Sequence, residues 1–218
     1  MWQGTKGELK LYRLAVLISG GGSNLQSIID SCDSGELKGL AAVAVVVSNK
    51  PDAYGLERAK KHGIPALFLN PKEHVSNKAF CKSISGKLVE YKVDLVCLAG
   101  YMNFIDSCLL KSFKGKVINI HPALLPKFGG KGMYGHHVHE AVVAAGEIES
   151  GATVHFVDEV YDHGKIILKK KVKVLKKDTC DTLSKRVLEA EHILYPLAIK
   201  KVIKNKAISK SQSRISKK

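Results

Sequence analysis

The chain has 218 residues, enough for one domain with a sizeable core, and 45% of them are hydrophobic, a globular rather than a disordered composition. Its longest purely apolar run, Leu40–Val47, is far too short to span a bilayer, and MWQGTKGELKLYR at the N-terminus lacks the apolar stretch and cleavage site of a secretory signal, so a cytoplasmic protein with no membrane partner is expected. Formal net charge is +15, which invites an anionic partner, but residues 200–218 carry eight of the positive charges with no acid and no aromatic to stack on a base, so nucleic acid is disfavoured.

Leu14–Ile18 reads as a short apolar strand, followed by G-G-G-S-N and then Leu25-Gln-Ser-Ile-Ile in helical register. Leu40–Val47 is a second strand, apolar on both faces as a central parallel strand is. Ala53–His62 reads as a helix with Gly63 ending it, and Ala66–Leu69 as a third strand. Phe80, Ile84, Leu88 and Tyr91 recur at helical spacing; Asp94–Leu98 and Lys116–Ile120 are strands four and five. A glycine-rich loop, Phe128–Gly135, leads to a helix around His139–Ala145. Thr153–Val157 and Ile166–Val174 look antiparallel, and Thr179–Ile203 is a long last helix. Alternating strands and helices predict an α/β fold, a doubly wound, mostly parallel sheet with an antiparallel C-terminal extension. Residues 1–12 read as an N-terminal extension, 13–203 as one domain and 204–218 as a basic, disordered tail.

Five cysteines, an odd number with no C-x-x-C pair, argue for a reducing compartment and against a disulfide framework or zinc ribbon. Between strand one and helix one, the glycines let the backbone approach a ligand, and the helix N-terminus offers N–H groups to an anion. Ser23 or Asn24 could cap that helix. A tight turn with a capped helix accounts for the same residues. The loop is no dinucleotide fingerprint, because position 25 is Leu and strand two ends in Ser48-Asn49-Lys50 without a ribose-binding carboxylate. It reads as a monophosphate cradle.

Strand five ends in V-I-N-I-H-P. Residues two apart face one side of a strand, so Asn119 and His121 project together at a carboxyl end, where open α/β sheets bind ligands, and Pro122 stops the strand. The Asn offers a donor to a developing oxyanion and the His moves protons near neutral pH. With no Ser or Cys nucleophile nearby, the pair points to direct transfer between two bound substrates. A carboxylate beside His121 would raise its pKa, and the segment 156–164 holds three candidates, Asp158, Glu159 and Asp162. His136, His137, His139 and His163 permit a metal reading, but no ligand spacing such as H-E-x-x-H supports it, so no metal is expected.

The motifs L-I-S-G-G-G-S-N-L-Q, S-N-K-P-D-A-Y-G-L-E-R-A, L-A-G-Y-M, I-N-I-H-P-A-L-L-P-K, G-A-T-V-H-F-V and A-E-H-I-L-Y-P resemble, in this order, those of the phosphoribosylglycinamide formyltransferase family, from about Arg13 to Val202. The resemblance implies a Rossmann-like formyltransferase fold that passes a formyl group from 10-formyltetrahydrofolate, a co-substrate, to the amine of glycinamide ribonucleotide in purine biosynthesis. It implies Asn119, His121 and Asp162 as the catalytic trio, and Gly22, Ser23, Asn24 and Glu191 as the nucleotide contacts. It also implies Met102, Asn103, Phe104 and Ile105, the 158–162 loop (Asp158, Glu159, Val160, Tyr161, Asp162), Asn119 and Asn77 on the folate side. The sequence departs from the family at Asn103, where an Arg is frequent, and at Asn77, where a basic residue is usual. A formyl-folate hydrolase and a transferase acting on initiator tRNA share the core; both usually carry a further domain. A lysine-driven nucleic-acid binder remains as a reading of another class. The expected partners are small molecules, and the expected state is a monomer or homodimer.

Overall fold

The computed structural model describes residues 11–215; the first ten residues of the expected N-terminal extension and the last three of the expected tail lie outside them. Seven strands form one sheet in the order β3-β2-β1-β4-β5-β6-β7. They are β1 (Tyr12–Ile18), β2 (Ala41–Ser48), β3 (Ala66–Phe68), β4 (Leu95–Leu98), β5 (Val117–His121), β6 (Glu149–Phe156) and β7 (Ile166–Lys173). The first five pair in parallel, and β6 and β7 add antiparallel on the far side of β5. Strand order reverses between β1 and β4, so the loops leaving their carboxyl ends diverge and open a crevice.

Both faces of the sheet are buried. Leu14, Val16 and Ile18 of β1 enter one core with helices α1 (Ser23–Asp33) and α2 (Tyr54–Lys61), while Ala15 and Leu17 enter the other with α3 (Asn77–Glu90). That second core also takes Leu109 from α4 (Ser107–Ser112), a helix that the spacing of apolar residues does not announce. Six residues are too few to show a 3.6-residue period; the local signal is Asp106, whose side chain accepts from Cys108 N–H. Helix α5 spans His136–Ala144, three residues ahead of the expected start.

The last helix, α6 (Cys180–Ile215), packs on β6, β7, α1 and α5. It runs on past Ile203, through residues that read as a disordered tail, because Lys, Ala, Ser and Gln are acceptable helix residues and neither Gly nor Pro follows Pro196. Tyr195 of α6 is fully buried, and its hydroxyl is shared between the carbonyls of Leu98 and Ile118 at 2.9 and 3.2 Å, fastening the helix to β4 and β5.

Gly164 closes the loop between β6 and β7. A Cβ there would fall inside van der Waals contact with the Phe156 carbonyl, a backbone group that cannot swing aside. Gly164→Ala is therefore expected to destabilise the fold by roughly 1–3 kcal/mol, seen as a lower midpoint in thermal denaturation; an unchanged midpoint would contradict the tight approach.

Candidate active site

A cleft of about 360 Å³ lies at the carboxyl ends of β4 and β5 and is flanked by α6. Asn119 and His121 both line it, as the two-residue period requires. The antiparallel register sets His155 of β6 opposite Asn119 and Thr153 opposite His121. The chain then turns through 157–165 and brings Asp162 back over both histidines. Its Oδ2 lies 3.5 Å from His121 Nδ1 and accepts from Gly130 N–H at 3.0 Å, and its Oδ1 lies 3.5 Å from His155 Nε2. Of the three acids in the loop, Asp162 is the one that meets His121. It does so at a φ of 54°, a left-handed conformation that Asp tolerates better than most side chains.

The hydrogen-bond partners order the rings. His155 Nδ1–H donates to the Phe156 carbonyl at 2.8 Å, which leaves Nε2 of the neutral ring to accept from Asn119 Nδ2 at 3.2 Å. His121 Nε2–H donates to the Phe128 carbonyl at 2.7 Å, so Nδ1 is the nitrogen that faces Asp162. Phe128 also has a positive φ, 56°, and lies in the glycine-rich loop. His155 was not legible as a site residue in the sequence. Its only signal is position: an inward residue of a strand whose register with β5 is known only from the fold.

Asp162 pulls His121 upward, as expected, but burial acts more strongly in the opposite direction, and the net shift of His121 is downward from its ordinary value. The expectation of a raised pKa thus fails in the ligand-free cleft, because His121 is only 3% exposed and the charged ring loses its water. Burial also pushes the Asp162 carboxyl up, but His155, His121 and Gly130 N–H together hold it below the usual carboxylate range.

The glycine loop ends in Gly22, the N-cap of α1, at a φ of 70°. Neither Ser23 nor Asn24 caps that helix, contrary to expectation. A Cβ on Gly22 would sit 2.7 Å from the Gly55 Cα, so this glycine is needed for packing against α2, whereas Gly20 and Gly21 face open space. Asn24 donates instead through Nδ2 to Glu191 Oε2 at 2.6 Å, and its own Oδ1 is buried without a partner. Glu191, 7% exposed, is pushed up to about 7 by burial, against the Asn24 hydrogen bond that lowers it.

Asn24 and Glu191 line the cleft, while Gly22 and Ser23 do not. On the opposite wall are Met102, Asn103, Phe104, Ile105, Asp158, Val160 and Tyr161, all expected on the folate side. The half-exposed rings of Phe104 and Tyr161 stand 5.1 Å apart. Asn77 and Glu159 fall outside the lining; Asn77 donates to the Phe104 carbonyl at 3.2 Å and so braces that wall from behind. The cleft also takes in His136 and His139 from α5 and Ser184 and Leu188 from α6, none singled out for this wall in advance. Among the described residues no group of three His, Cys, Asp or Glu side chains is placed to hold a metal ion, and no helix is long and apolar enough to cross a membrane.

Residues 12–199 match the family described as "Formyl transferase". The chain is 44% identical over 188 residues to the phosphoribosylglycinamide formyltransferase of Haemophilus influenzae, covering 86% of this chain and 85% of that one. It is 45% identical over 193 residues to the chloroplastic phosphoribosylglycinamide formyltransferase of Arabidopsis thaliana, covering 88% of this chain and 65% of the relative. Against the human trifunctional purine biosynthetic protein adenosine-3 it is 43% identical over 195 residues, which is 89% of this chain and 19% of that protein. The chain thus spans under two thirds of some relatives, the trifunctional ones above all. The crystal structure of glycinamide ribonucleotide transformylase 1 from Symbiobacterium toebii superposes with a TM-score of 0.85 at 42% identity, covering 92% of this chain and 90% of that one.

The raised Glu191 carboxyl has a definite sign. Its folded pKa, about 7, lies above the ordinary 4.5, so the folded state binds the proton more tightly and stability is lost as pH rises from 4.5 through 7. Glu191→Gln removes that loss. Its stability relative to the parent is expected to grow across this window by on the order of 3 kcal/mol and then level off; denaturant titrations at several pH values that run parallel would contradict the buried, protonated carboxyl.

Proposed function

The chain belongs to the formyl transferase family, and we propose that it transfers a formyl group from 10-formyltetrahydrofolate to the amine of glycinamide ribonucleotide, in de novo purine biosynthesis. One observation carries this reading: a buried Asn119–His155–Asp162–His121 constellation opens onto the same cleft as Asn24 and Glu191. One end can move a proton and stabilise an oxyanion; the other can grip a sugar.

The backbone N–H groups at the start of α1, with Ser23, hold the phosphate. Glu191 and Asn24 take the ribose hydroxyls, which fill the hydrogen-bonding capacity left open at Asn24 Oδ1. The folate lies along the Met102–Ile105 wall and the 158–162 loop, with the aromatic faces of Phe104 and Tyr161 beside it. No cysteine lines the cleft among the described residues, and the amine attacks the formyl carbon directly, with no covalent enzyme intermediate. One N–H of the Asn119 amide rests on His155, and the second is free to bind the oxygen on which negative charge gathers. His121 takes up the proton that the attacking amine gives off and passes it to the departing folate nitrogen as the tetrahedral intermediate collapses, and Asp162 stabilises the imidazolium in between.

Loss of the formyl group from 10-formyltetrahydrofolate, followed by absorbance, tests the reading. Turnover that requires glycinamide ribonucleotide supports it; turnover without the nucleotide identifies a hydrolase; none in either case, with folded protein, points to a tRNA-directed transferase or a binding protein. His121→Ala and Asp162→Asn are each expected to cut kcat by about 10²–10⁴ with the fold retained; near-parental turnover in either would remove the assigned role. Ser23→Ala is expected to weaken nucleotide binding while kcat changes little, and an unaltered affinity in titration would argue against the phosphate cradle.

A further inference from the structure

Three loops leave the carboxyl ends of β1, β2 and β4 beside the cleft, and one chain of hydrogen bonds ties them together. Met102 N–H donates to Ser19 Oγ at 2.8 Å. Ser19 Oγ–H donates to Asn49 Oδ1 at 2.6 Å. Asn49 Nδ2 donates to Asn103 Oδ1 at 3.1 Å. Asn49 is 5% exposed and lies outside the cleft, whereas Asn103 lines it.

A backbone N–H can only donate, so Ser19 Oγ accepts from Met102, and in the structure it gives its single proton to Asn49. Asn49 must then accept with its oxygen, which turns its NH2 toward Asn103. Asn103 in turn accepts with its oxygen, so its own NH2 faces the other way. The polarity of one peptide group is thereby passed through two side chains to a third. An Arg at position 103, frequent in the family, has no acceptor and could not close this chain.

We propose that the Ser19–Asn49 relay fixes the Asn103 amide so that its NH2 is a neutral hydrogen-bond donor to an acceptor oxygen of the folate co-substrate. Asn103 is the binding group, and Asn49 is a positioning residue that acts only through it. This rests on the formyl-transfer reading of the cleft.

Two substitutions test it while keeping the network bonded. Asn103→Asp still accepts from Asn49 but has no proton to offer the cleft. In Asn49→Asp, both carboxylate oxygens accept, so the Asn103 amide must flip its NH2 toward position 49 and present its oxygen to the ligand. Each variant is expected to weaken tetrahydrofolate binding by calorimetry roughly tenfold and to raise KM for the formyl donor. In Asn49→Asp, kcat and the affinity for glycinamide ribonucleotide should stay near the parental values. The loss in Asn49→Asp persists at about 1 M salt, where repulsion between the new charge and a folate carboxylate is screened. Parental folate affinity in Asn49→Asp, or a loss that salt abolishes, overturns the relay. A parental chain that binds no tetrahydrofolate overturns the formyl-transfer reading itself, and the role of Asn103 with it.

Discussion

A carboxylate deprived of water must be surrounded by donors, and the site is arranged around meeting that demand at Asp162. Its side chain is only 12% exposed, yet burial does not neutralise it, because Gly130 N–H donates to it and two imidazole rings, each able to take up positive charge, stand 3.5 Å from its two oxygens. Each neighbour has a separate structural cause. His121 is there because β5 ends at Pro122, and His155 because β6 joins β5 antiparallel in a register that sets it beside Asn119. Gly130 is there because Gly129 beside it has no side chain: a Cβ on Gly129 would press on Leu125 and on the Cβ of Asp162. The backbone strain at Asp162 and Phe128 is concentrated at this junction, where such strain is commonly tied to function.

The two ends of the cleft treat ionisation in opposite ways. At one end the pKa of a carboxylate is kept low by its neighbours, and burial lowers the pKa of the histidine beside it. At the other, Glu191 has a single hydrogen-bond donor and almost no water, and its pKa rises to about 7. The free cleft is therefore less charged than its composition implies.

The sheet was largely legible in the sequence, because Leu14–Ile18 and Leu40–Val47 are apolar on both faces and only a covered parallel strand has that pattern. Asn119 and His121 were legible for a similar reason: two polar residues in step on an apolar strand, stopped by a proline. Asp162 was not separable from Asp158 and Glu159 by spacing, and only the family resemblance singled it out; the difference lies in a left-handed turn and a donor 32 residues away. His155 was hidden because strand register is a tertiary property. The downward shift of His121 was missed because a neighbouring acid is visible in a sequence, whereas the depth of burial that outweighs it is not.

Tyr195 lies four residues, about one helical turn, beyond Glu191, and its hydroxyl is bonded to the last residue of β4 and the second residue of β5. Helix α6 is thus pinned near the middle of its length. The distance from the Glu191 carboxyl to the Asn119–His121 pair is held by one phenol against two carbonyls, so the spacing between the two ends of the cleft is a property of the sheet as well as of the helix that carries Glu191.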